Sequence, residues 1–406
     1  MKKIHSYREA LQWLFQLTRF GERFDLGGPH SINMALGNPL GSVKSILIGG
    51  TNGKGSTCIY LEKIMIDADF TVGRFSSPHL ISFCERICIN GDPIAPKQVI
   101  HGVNILREIT NRNGITISFF EATWAIATIL FKEANVEYVI WEVGLGGRLD
   151  ATNVCEPIAS AIVSIGLDHT AILGDTLEKI AKEKSAIFRP NQPRLTSTTD
   201  EGLIALKKVY PNPITEASPL SNAAFFPTTI LASNAALASE IARSIGITPN
   251  IQLLPTCHLP GRFEYLKGIY LDSAHNPPAA FHVAQWLQKK RAQEQRPIHV
   301  IFGASEDKDV TGVMRELGAY IDKITWVSPI YPRCSPAERV QQLVGDLLPT
   351  QVHQEIIPSV MDALDARASS DQALTLICGS CFLVGEARAY LLNLPFPEEK
   401  LMTNAR

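Results

Sequence analysis

The chain has 406 residues, 45% of them hydrophobic, and a formal net charge of −2. This length predicts about two domains, and the hydrophobic content is ample for packed cores. Because the net charge is near zero, we expect no general attraction to nucleic acid or to an anionic membrane surface. A local basic site is still compatible with this balance.

The amino terminus and the cysteines favour a cytoplasmic protein. Arg8 and Glu9 precede any apolar stretch long enough for a signal peptide. No apolar run reaches the ~18–20 residues that a bilayer-spanning helix needs. The eight cysteines are scattered, and the CxxC pair Cys378 and Cys381 has no second pair nearby to complete a zinc site. Reduced thiols are the simplest interpretation.

Apolar runs alternate with amphipathic stretches along the first half of the chain. The runs at 138–143 and 159–165 are nearly continuous, as expected when helices cover both faces of a sheet. Strands are predicted at 45–49, 138–143 and 159–165, and helices at 54–69, 121–134, 177–188 and 234–245. A capping box at 175–178 is predicted to open the third of these helices.

The second half repeats this alternation after a change in composition. Residues 189–230 are rich in Pro, Thr, Ser and Asn and are predicted as loops and short strands, while 249–261 is the predicted linker. Strands are predicted at 268–272, 299–303, 323–327 and 374–378, and helices at 278–291, 310–321, 337–347 and 385–392. Such a series indicates a mostly parallel, doubly wound α/β sheet.

A glycine-rich motif separates the first predicted strand from the first predicted helix. It comprises Gly50, Thr51, Asn52, Gly53, Lys54, Gly55 and Ser56. Glycines let backbone N–H groups turn toward an anion, and the helix N-terminus adds partial positive charge. Lys54 would reach the outer phosphates of a nucleotide, and the Ser56 hydroxyl would ligate Mg²⁺. Gly55 separates Lys54 from Ser56, unlike a regular Walker A loop, and a glycine turn with a surface lysine is the alternative.

Two polar residues follow the other strands of the first half. Glu142 lies at the end of the strand at 138–143, where an acidic Mg²⁺ ligand is expected beside a phosphate loop. The alternative is a carboxylate that caps the following glycine turn. His169 comes after the strand at 159–165. Mg²⁺ prefers oxygen ligands, so an ordinary packed or surface histidine remains open.

The second half carries a similar strand-end site. Asp272 ends a predicted strand and would accept hydrogen bonds from ribose hydroxyls, and His275 follows it. Arg262, ten residues earlier, would reach a nucleotide phosphate. The alternatives are that Asn276 simply caps a helix and that Arg262 forms a surface salt bridge.

Taken together, these segments resemble the folylpolyglutamate synthase family, in its bifunctional dihydrofolate synthase/folylpolyglutamate synthase form. The matching motifs run in family order from Gly50 to Glu386. They are GTNGKGST at 50, SSPHL at 76, ERI at 85, EVGLGGRLDATN at 142, LDHT at 167, EK at 183, PGR at 260 and DSAHNP at 272. Gly55 separates this pattern from that of the Mur peptidoglycan ligases, in which Ser or Thr directly follows the lysine.

The resemblance implies a P-loop, Mur-ligase-like N-terminal domain with a parallel-rich sheet and a smaller Rossmann-like C-terminal domain. We expect the ATP-binding domain over 1–257, a hinge at 258–262 and the second domain over 263–406. The implied reaction is ATP-dependent addition of L-glutamate to dihydropteroate and to the γ-carboxylate of reduced folates, through an acyl phosphate, by a cytoplasmic monomer. The alternatives are a monofunctional folylpolyglutamate synthase, an enzyme of the first step only and, less closely, a Mur-type peptidoglycan ligase.

The resemblance also implies roles for individual residues. Catalytic roles fall on Lys54, His169 and Lys184. ATP contacts fall on the phosphate loop and on Asn234, Arg262, Asp272 and His275. Two Mg²⁺ ions are implied near Ser56, Glu142, His169 and a carbamylated Lys184. The pterin pocket is implied at Ser77, Pro78, His79, Ser118, Phe120 and Asp150. From the residues alone, Lys184 looks like part of a solvated helix face.

Overall fold

The structure is a computed structural model that describes residues 3–17, 25–367 and 372–395. These residues form two compact units. The first contains the described residues up to 79 and from 83 to 257, and the second contains 80–82 together with the described residues from 258 onward. Nothing in the sequence pattern set the short segment 80–82 apart from its neighbours.

The first unit is built on an eight-stranded sheet. Its strands in chain order are β1 (Lys44–Gly49), β2 (Val72–Phe75), β3 (Ile87–Ile89), β4 (Asp92–Pro93), β5 (Tyr138–Glu142), β6 (Pro157–Ile162), β7 (Arg194–Thr196) and β8 (Thr215–Glu216). They are arranged in the order β4-β3-β2-β5-β1-β6-β7-β8. In this sheet order, all neighbouring strands from β2 across to β8 are parallel. Strand β3 pairs antiparallel with β2 on one side and with β4 on the other.

Nine α-helices of the first unit are described. They are α1 (Tyr7–Gln16), α2 (Gly27–Ala35), α3 (Lys54–Asp67), α4 (Pro96–Asn113), α5 (Phe119–Glu133), α6 (Thr170–Leu173), α7 (Leu177–Ser185), α8 (Asp200–Val209) and α9 (Thr229–Ser244). The central strand β1 is buried from Ser45 to Gly49, and β5 is buried throughout. Because β5, β1 and β6 are adjacent and parallel, the loops after them meet at one edge of the sheet, where α/β proteins bind ligands.

The second unit has a six-stranded sheet of its own. Its strands are β9 (Glu264–Leu266), β10 (Ile269–Leu271), β11 (Ile298–Phe302), β12 (Lys323–Trp326), β13 (His353–Ile356) and β14 (Leu374–Cys378). The order is β13-β12-β11-β14-β10-β9, and every pair except β10 with β9 is parallel. Its helices are α10 (Pro277–Glu294), α11 (Val310–Leu317), α12 (Ala337–Val344), α13 (Val360–Ala366) and α14 (Cys381–Leu392).

The predicted α/β class with two parallel-rich sheets is confirmed, and two local predictions were wrong. The segment 189–230 contains a full helix, α8, where loops and short strands were expected. The capping box at 175–178 is absent, because Thr176 is the N-cap of α7 and accepts from the backbone N–H of Lys179. Asp175 forms an ion pair with the Lys179 side chain instead. Within the described residues, no helix is long and apolar enough to cross a membrane.

Candidate functional site

The glycine-rich motif at 50–56, the candidate phosphate loop, leads from the end of β1 into the first turn of α3 and is held against the segment that follows β6. The Thr51 N–H donates to the Ser164 carbonyl oxygen at 2.9 Å, and the Asn52 N–H donates to the Ser164 hydroxyl at 2.9 Å. The Thr51 hydroxyl donates to the Gly166 carbonyl oxygen at 3.1 Å. These bonds fix the loop backbone beside the segment that leads to His169.

Gly53 shows that the loop is shaped as a cradle. Its φ of 85° is in the left-handed region, and a Cβ there would lie 2.6 Å from Asn234 Oδ1 and 2.7 Å from a Val163 methyl carbon. Asn234 is a buried residue of α9, and its side-chain oxygen has no hydrogen-bond partner among the described residues. A buried acceptor without a donor normally needs a partner. A ligand donor would supply one, so this arrangement fits a nucleotide.

Lys54 and Lys184 come together at the start of the loop. Lys54 Nζ donates to the Gly50 and Thr51 carbonyl oxygens at 3.0 and 3.1 Å. Lys184 Nζ, from α7, donates to the same Gly50 oxygen at 3.0 Å. Burial, and then the positive charge of Lys54, lower the pKa of Lys184 from 10.5 to about 7. The prediction that Lys184 lies on a solvated face, made from the residues alone, was wrong.

Glu142 lies over the first turn of α3. A Cβ on Gly55 would stand 3.5 Å from Glu142 Oε2, and Ser56 beside it is buried. Glu142 Oε2 also accepts from the Ser77 N–H at 3.1 Å. Within the described residues, no group of three or more His, Cys, Asp or Glu side chains could hold a metal ion. A hydroxyl and one carboxylate nevertheless fit Mg²⁺, which is commonly bound by one or two carboxylates, water and substrate phosphates.

His169 is part of the neighbouring loop and is more exposed. It has a left-handed φ of 51°, and 42% of its side chain is accessible. Its backbone N–H donates to the carboxylate of Asp168, a residue of the LDHT motif for which no separate role was predicted. The negative charge of Asp168 opposes the lowering of the Lys184 pKa, so it acts on the same cluster.

The candidate pterin residues fall into two groups, of which the first follows β2. The Ser77–Pro78 peptide bond is cis, Pro78 is exposed and His79 is buried. His79 Nδ1 accepts from Arg86 Nε at 2.6 Å. Since a guanidinium can only donate, this bond places the His79 lone pair on Nδ1. Arg86 was recognised as part of a motif but not as a site residue.

The second group surrounds the turn after β5. The Phe120 ring packs against Phe75, with centroids 5.6 Å apart, and a Cβ on Gly144 would lie 2.5 Å from it. The Asp150 carboxylate is buried beside this turn. The Ser118 hydroxyl accepts from the Glu121 N–H as the N-cap of α5.

Asp150 uses both carboxylate oxygens within the protein. Oδ2 accepts from the N–H groups of Gly144 and Leu145, both at 3.0 Å. Oδ1 accepts from Thr152 N at 3.0 Å and from its hydroxyl at 2.6 Å. Burial raises the pKa of Asp150 and these hydrogen bonds oppose it. The direct pterin contact expected of Asp150 stays a prediction, and its visible role is to shape the turn beside Phe120.

The candidate nucleotide residues of the second unit surround Asp272, after β10. Its buried carboxylate accepts from the Phe263 N–H at 3.0 Å and the Ala274 N–H at 2.9 Å. These bonds fix the backbone next to Arg262 and His275. Burial raises the pKa of Asp272, and the charge of Arg262 partly opposes that rise. Asp272 therefore holds the two segments that carry the other predicted contacts.

Comparison with known proteins defines the class first. Residues 261–381 match the family model of the Mur ligase glutamate ligase domain. With a phosphate loop in the first unit and this domain in the second, the chain is a ligase of the Mur class.

Relatives along the whole chain narrow the class to a family. A dihydrofolate synthase/folylpolyglutamate synthase of Bacillus subtilis is 30% identical, over 95% of this chain and 99% of the relative. One of the same name from Buchnera aphidicola is 35% identical, over 70% of this chain and 75% of the relative. The chain belongs to the dihydrofolate synthase/folylpolyglutamate synthase family.

Solved structures agree with this assignment. The Escherichia coli FolC structure in complex with DHPP and ADP has a TM-score of 0.83 and 27% identity, covering 97% of this chain and 99% of that one. A Yersinia pestis bifunctional enzyme complexed with AMPPNP and a Mn ion has the same TM-score and identity, covering 97% and 100% of the two chains.

Proposed function

We propose that this chain is an ATP-dependent ligase that joins L-glutamate to the carboxylate of a pterin substrate and releases ADP and phosphate. Its substrates are dihydropteroate, which becomes dihydrofolate, and reduced folates, which are extended at the γ-carboxylate. The observation that carries the proposal is the meeting of Lys54, Lys184 and Glu142 around one phosphate loop in a chain of this family. Relatives solved with ADP or AMPPNP support the choice of nucleotide.

The reaction requires activation of the substrate carboxylate. One carboxylate oxygen attacks the γ-phosphorus of ATP, the bond to the bridging oxygen breaks, and ADP leaves an acyl phosphate behind. The α-amine of glutamate then attacks the acyl carbon and gives up a proton. The tetrahedral intermediate expels inorganic phosphate and forms the amide. Water must be excluded from the acyl phosphate, since hydrolysis would waste it.

We assign the individual roles as membership of this family suggests. Lys54 and the loop N–H groups would hold the ATP phosphates, and Ser56 and Glu142 would hold Mg²⁺, together with His169 and a modified Lys184. When bound, the metal offsets negative charge that develops on the transferred phosphoryl group. Asn234, Arg262, Asp272 and His275 serve the nucleotide. The pterin pocket uses Ser77, Pro78, His79, Ser118, Phe120 and Asp150.

We infer further that Lys184 is carbamylated. Its nitrogen lone pair forms a bond to the carbon of CO₂ and the nitrogen loses a proton, which requires an unprotonated amine. A pKa of about 7 supplies that form at neutral pH. A protonated Lys184 is repelled by Lys54, whereas a carbamate on Lys184 is negatively charged and would be attracted to Lys54. In ¹³C NMR, protein in ¹³C-bicarbonate should show a carbamate signal that Lys184→Arg lacks, and a signal present in both proteins contradicts the modification.

The working form we propose is a cytoplasmic monomer that uses only small-molecule substrates, with domains at 1–257 and 263–406 joined by residues 258–262. The eight free thiols support a reducing compartment. Light scattering after size-exclusion chromatography tests the oligomeric state, and the mass of a dimer would overturn the proposal of a monomer.

The test of the function is ADP release by the purified chain with ATP, Mg²⁺ and L-glutamate, with one pterin offered at a time. Release with both dihydropteroate and tetrahydrofolate supports the bifunctional enzyme. Release with tetrahydrofolate alone leaves a monofunctional folylpolyglutamate synthase. A UDP-linked peptidoglycan precursor serves as the third substrate, and release with it alone would identify a Mur-type peptidoglycan ligase. No release with either pterin contradicts the proposal.

A further inference from the structure

A buried ion pair joins the phosphate-loop helix to the strand that precedes the candidate pterin segment. Glu62 lies two turns beyond Lys54 on α3, and Arg74 lies in β2. Arg74 Nε donates to Glu62 Oε2 at 2.7 Å, and the two side chains are only 11% and 5% exposed. Neither residue belongs to the phosphate loop or to the candidate pterin pocket.

The remaining polar atoms of this pair are directed to specific partners. One terminal nitrogen of Arg74 donates to the Ser76 hydroxyl at 2.9 Å, and the other lies 3.0 Å from Cys88 Sγ. The second oxygen of Glu62 accepts from the Gly91 N–H at 3.2 Å. A buried ion pair contributes little net stability over apolar residues of the same volume, because both charges must be desolvated. Its contribution here is therefore better sought in the conformation it specifies.

The conformation in question is that of residues 76 and 77. The Ser76 N–H donates to the Arg86 carbonyl oxygen at 2.9 Å, while its hydroxyl accepts from Arg74. Ser77 follows directly, and its N–H donates to Glu142 Oε2 at 3.1 Å. A short covalent and hydrogen-bonded path thus runs from Arg74 through Ser76 and Ser77 to the carboxylate over Gly55.

We propose that Arg74, oriented by Glu62, is a positioning residue for Glu142. By fixing Ser76 it aims the Ser77 N–H at one oxygen of Glu142, so the other oxygen keeps its place over the first turn of α3. The inference rests on the proposed function only in taking Glu142 as a metal-binding carboxylate. Hydrogen-bond partners of metal-binding side chains typically contribute about 10–100-fold to metal affinity. Loss of Arg74 should lower the affinity for the divalent ion by a factor within that range.

The test replaces both charges at once in the full chain. The double variant Glu62→Leu/Arg74→Met avoids leaving a lone buried charge. Electron paramagnetic resonance then measures Mn²⁺ affinity in the presence of AMPPNP, and calorimetry measures AMPPNP affinity without metal. We expect Mn²⁺ to bind about 10-fold more weakly or worse, with metal-free nucleotide affinity unchanged. Unchanged Mn²⁺ affinity in the folded double variant would overturn the proposal.

Two further variants separate positioning from lost stability. Ser76→Ala keeps the ion pair but removes the hydroxyl that Arg74 holds, so it should also lower Mn²⁺ affinity. This variant provides the test if the double variant does not fold. Gly246→Ala strains a left-handed glycine that has no atom within 4 Å of the added Cβ. It should lower stability and leave Mn²⁺ affinity unchanged. If Gly246→Ala loses as much Mn²⁺ affinity as Ser76→Ala does, the proposal is overturned.

The outcome is independent of the pterin reaction. If the natural chain binds Mn²⁺ with AMPPNP but releases no ADP with any pterin, the proposed function fails and the positioning result stands. If the natural chain binds no Mn²⁺ with AMPPNP, the metal role of Glu142 fails and the positioning proposal fails with it.

Discussion

Lys54 and Lys184 donate to one acceptor, the carbonyl oxygen of Gly50, each at 3.0 Å. Two amines that share one oxygen repel each other when both are protonated. Only one of them is deeply buried, and it is the Lys184 pKa that falls to about 7. The negative charge of Asp168 does not outweigh burial and the repulsion by Lys54, and ATP phosphates or a carbamate on Lys184 would add negative charge.

The first prediction concerns stability and pH. The unfolded chain protonates Lys184 near pH 10.5 and the folded chain near 7, so the unfolded state holds more protons between these values. Stability should therefore rise with pH across this window, by up to about 1.4 kcal/mol per pH unit. Lys184→Met removes the titrating amine. The free energy of unfolding of this variant should exceed that of the natural chain most at and below pH 7. Urea unfolding in bicarbonate-free buffer from pH 6 to pH 9 measures the gap; a gap independent of pH would contradict the assignment.

The second prediction concerns turnover. Lys184→Ala and Lys184→Arg should each lower the rate of pterin-dependent ADP release at least ~10²-fold, the scale of losing one electrostatic stabiliser. The arginine variant keeps a positive charge but cannot be carbamylated. Lys182→Arg, on the same helix, is the matched control and should keep normal turnover. Near-normal rates in both Lys184 variants would remove this residue from the site.

The third prediction tests the shape of the cradle. Gly53 and Gly246 share a φ of 85°, but only Gly53 has atoms within 4 Å of an added Cβ. Each alanine substitution should destabilise the fold by about 1–2 kcal/mol through left-handed strain. Only Gly53→Ala should also weaken nucleotide binding, because its Cβ would displace the loop. We expect a loss of at least about tenfold in affinity, which corresponds to about 1.4 kcal/mol. Calorimetry with AMPPNP distinguishes them, and equal nucleotide affinity in the two variants would refute the steric argument.

The fourth prediction concerns Asp150. An amide in place of its carboxylate would turn an NH₂ group toward two N–H or O–H donors. Leaving two donors without an acceptor costs about 2–6 kcal/mol when both are buried, so Asp150→Asn should lose stability of that order in urea. Asp175→Asn, at an exposed helix end, should change nothing measurable. If Asp150→Asn is as stable as the natural chain and only the KM for the pterin rises, then Asp150 is mainly a substrate contact.

What the sequence could predict was local. The strand, glycine-rich turn and helix of the phosphate loop are contiguous, so their pattern is visible without a structure. The Glu62–Arg74 pair was not predictable, because its partners lie on different elements and neither fits a motif. The helix α8 was missed since its surroundings are rich in Pro and Thr, and the choice of Thr176 over Asp175 as N-cap depends on backbone geometry that either residue type allows.

One mass-spectrometric measurement tests both the glutamate ligation and its acyl-phosphate route. The purified chain is incubated with ATP, Mg²⁺, L-glutamate and dihydropteroate labelled with ¹⁸O in its carboxylate. We expect a product heavier by one glutamyl residue and the appearance of ¹⁸O in inorganic phosphate, because the acyl phosphate oxygen leaves with phosphorus. A glutamyl product with unlabelled phosphate would contradict the acyl-phosphate route, and no glutamyl product from dihydropteroate or tetrahydrofolate would contradict the function itself.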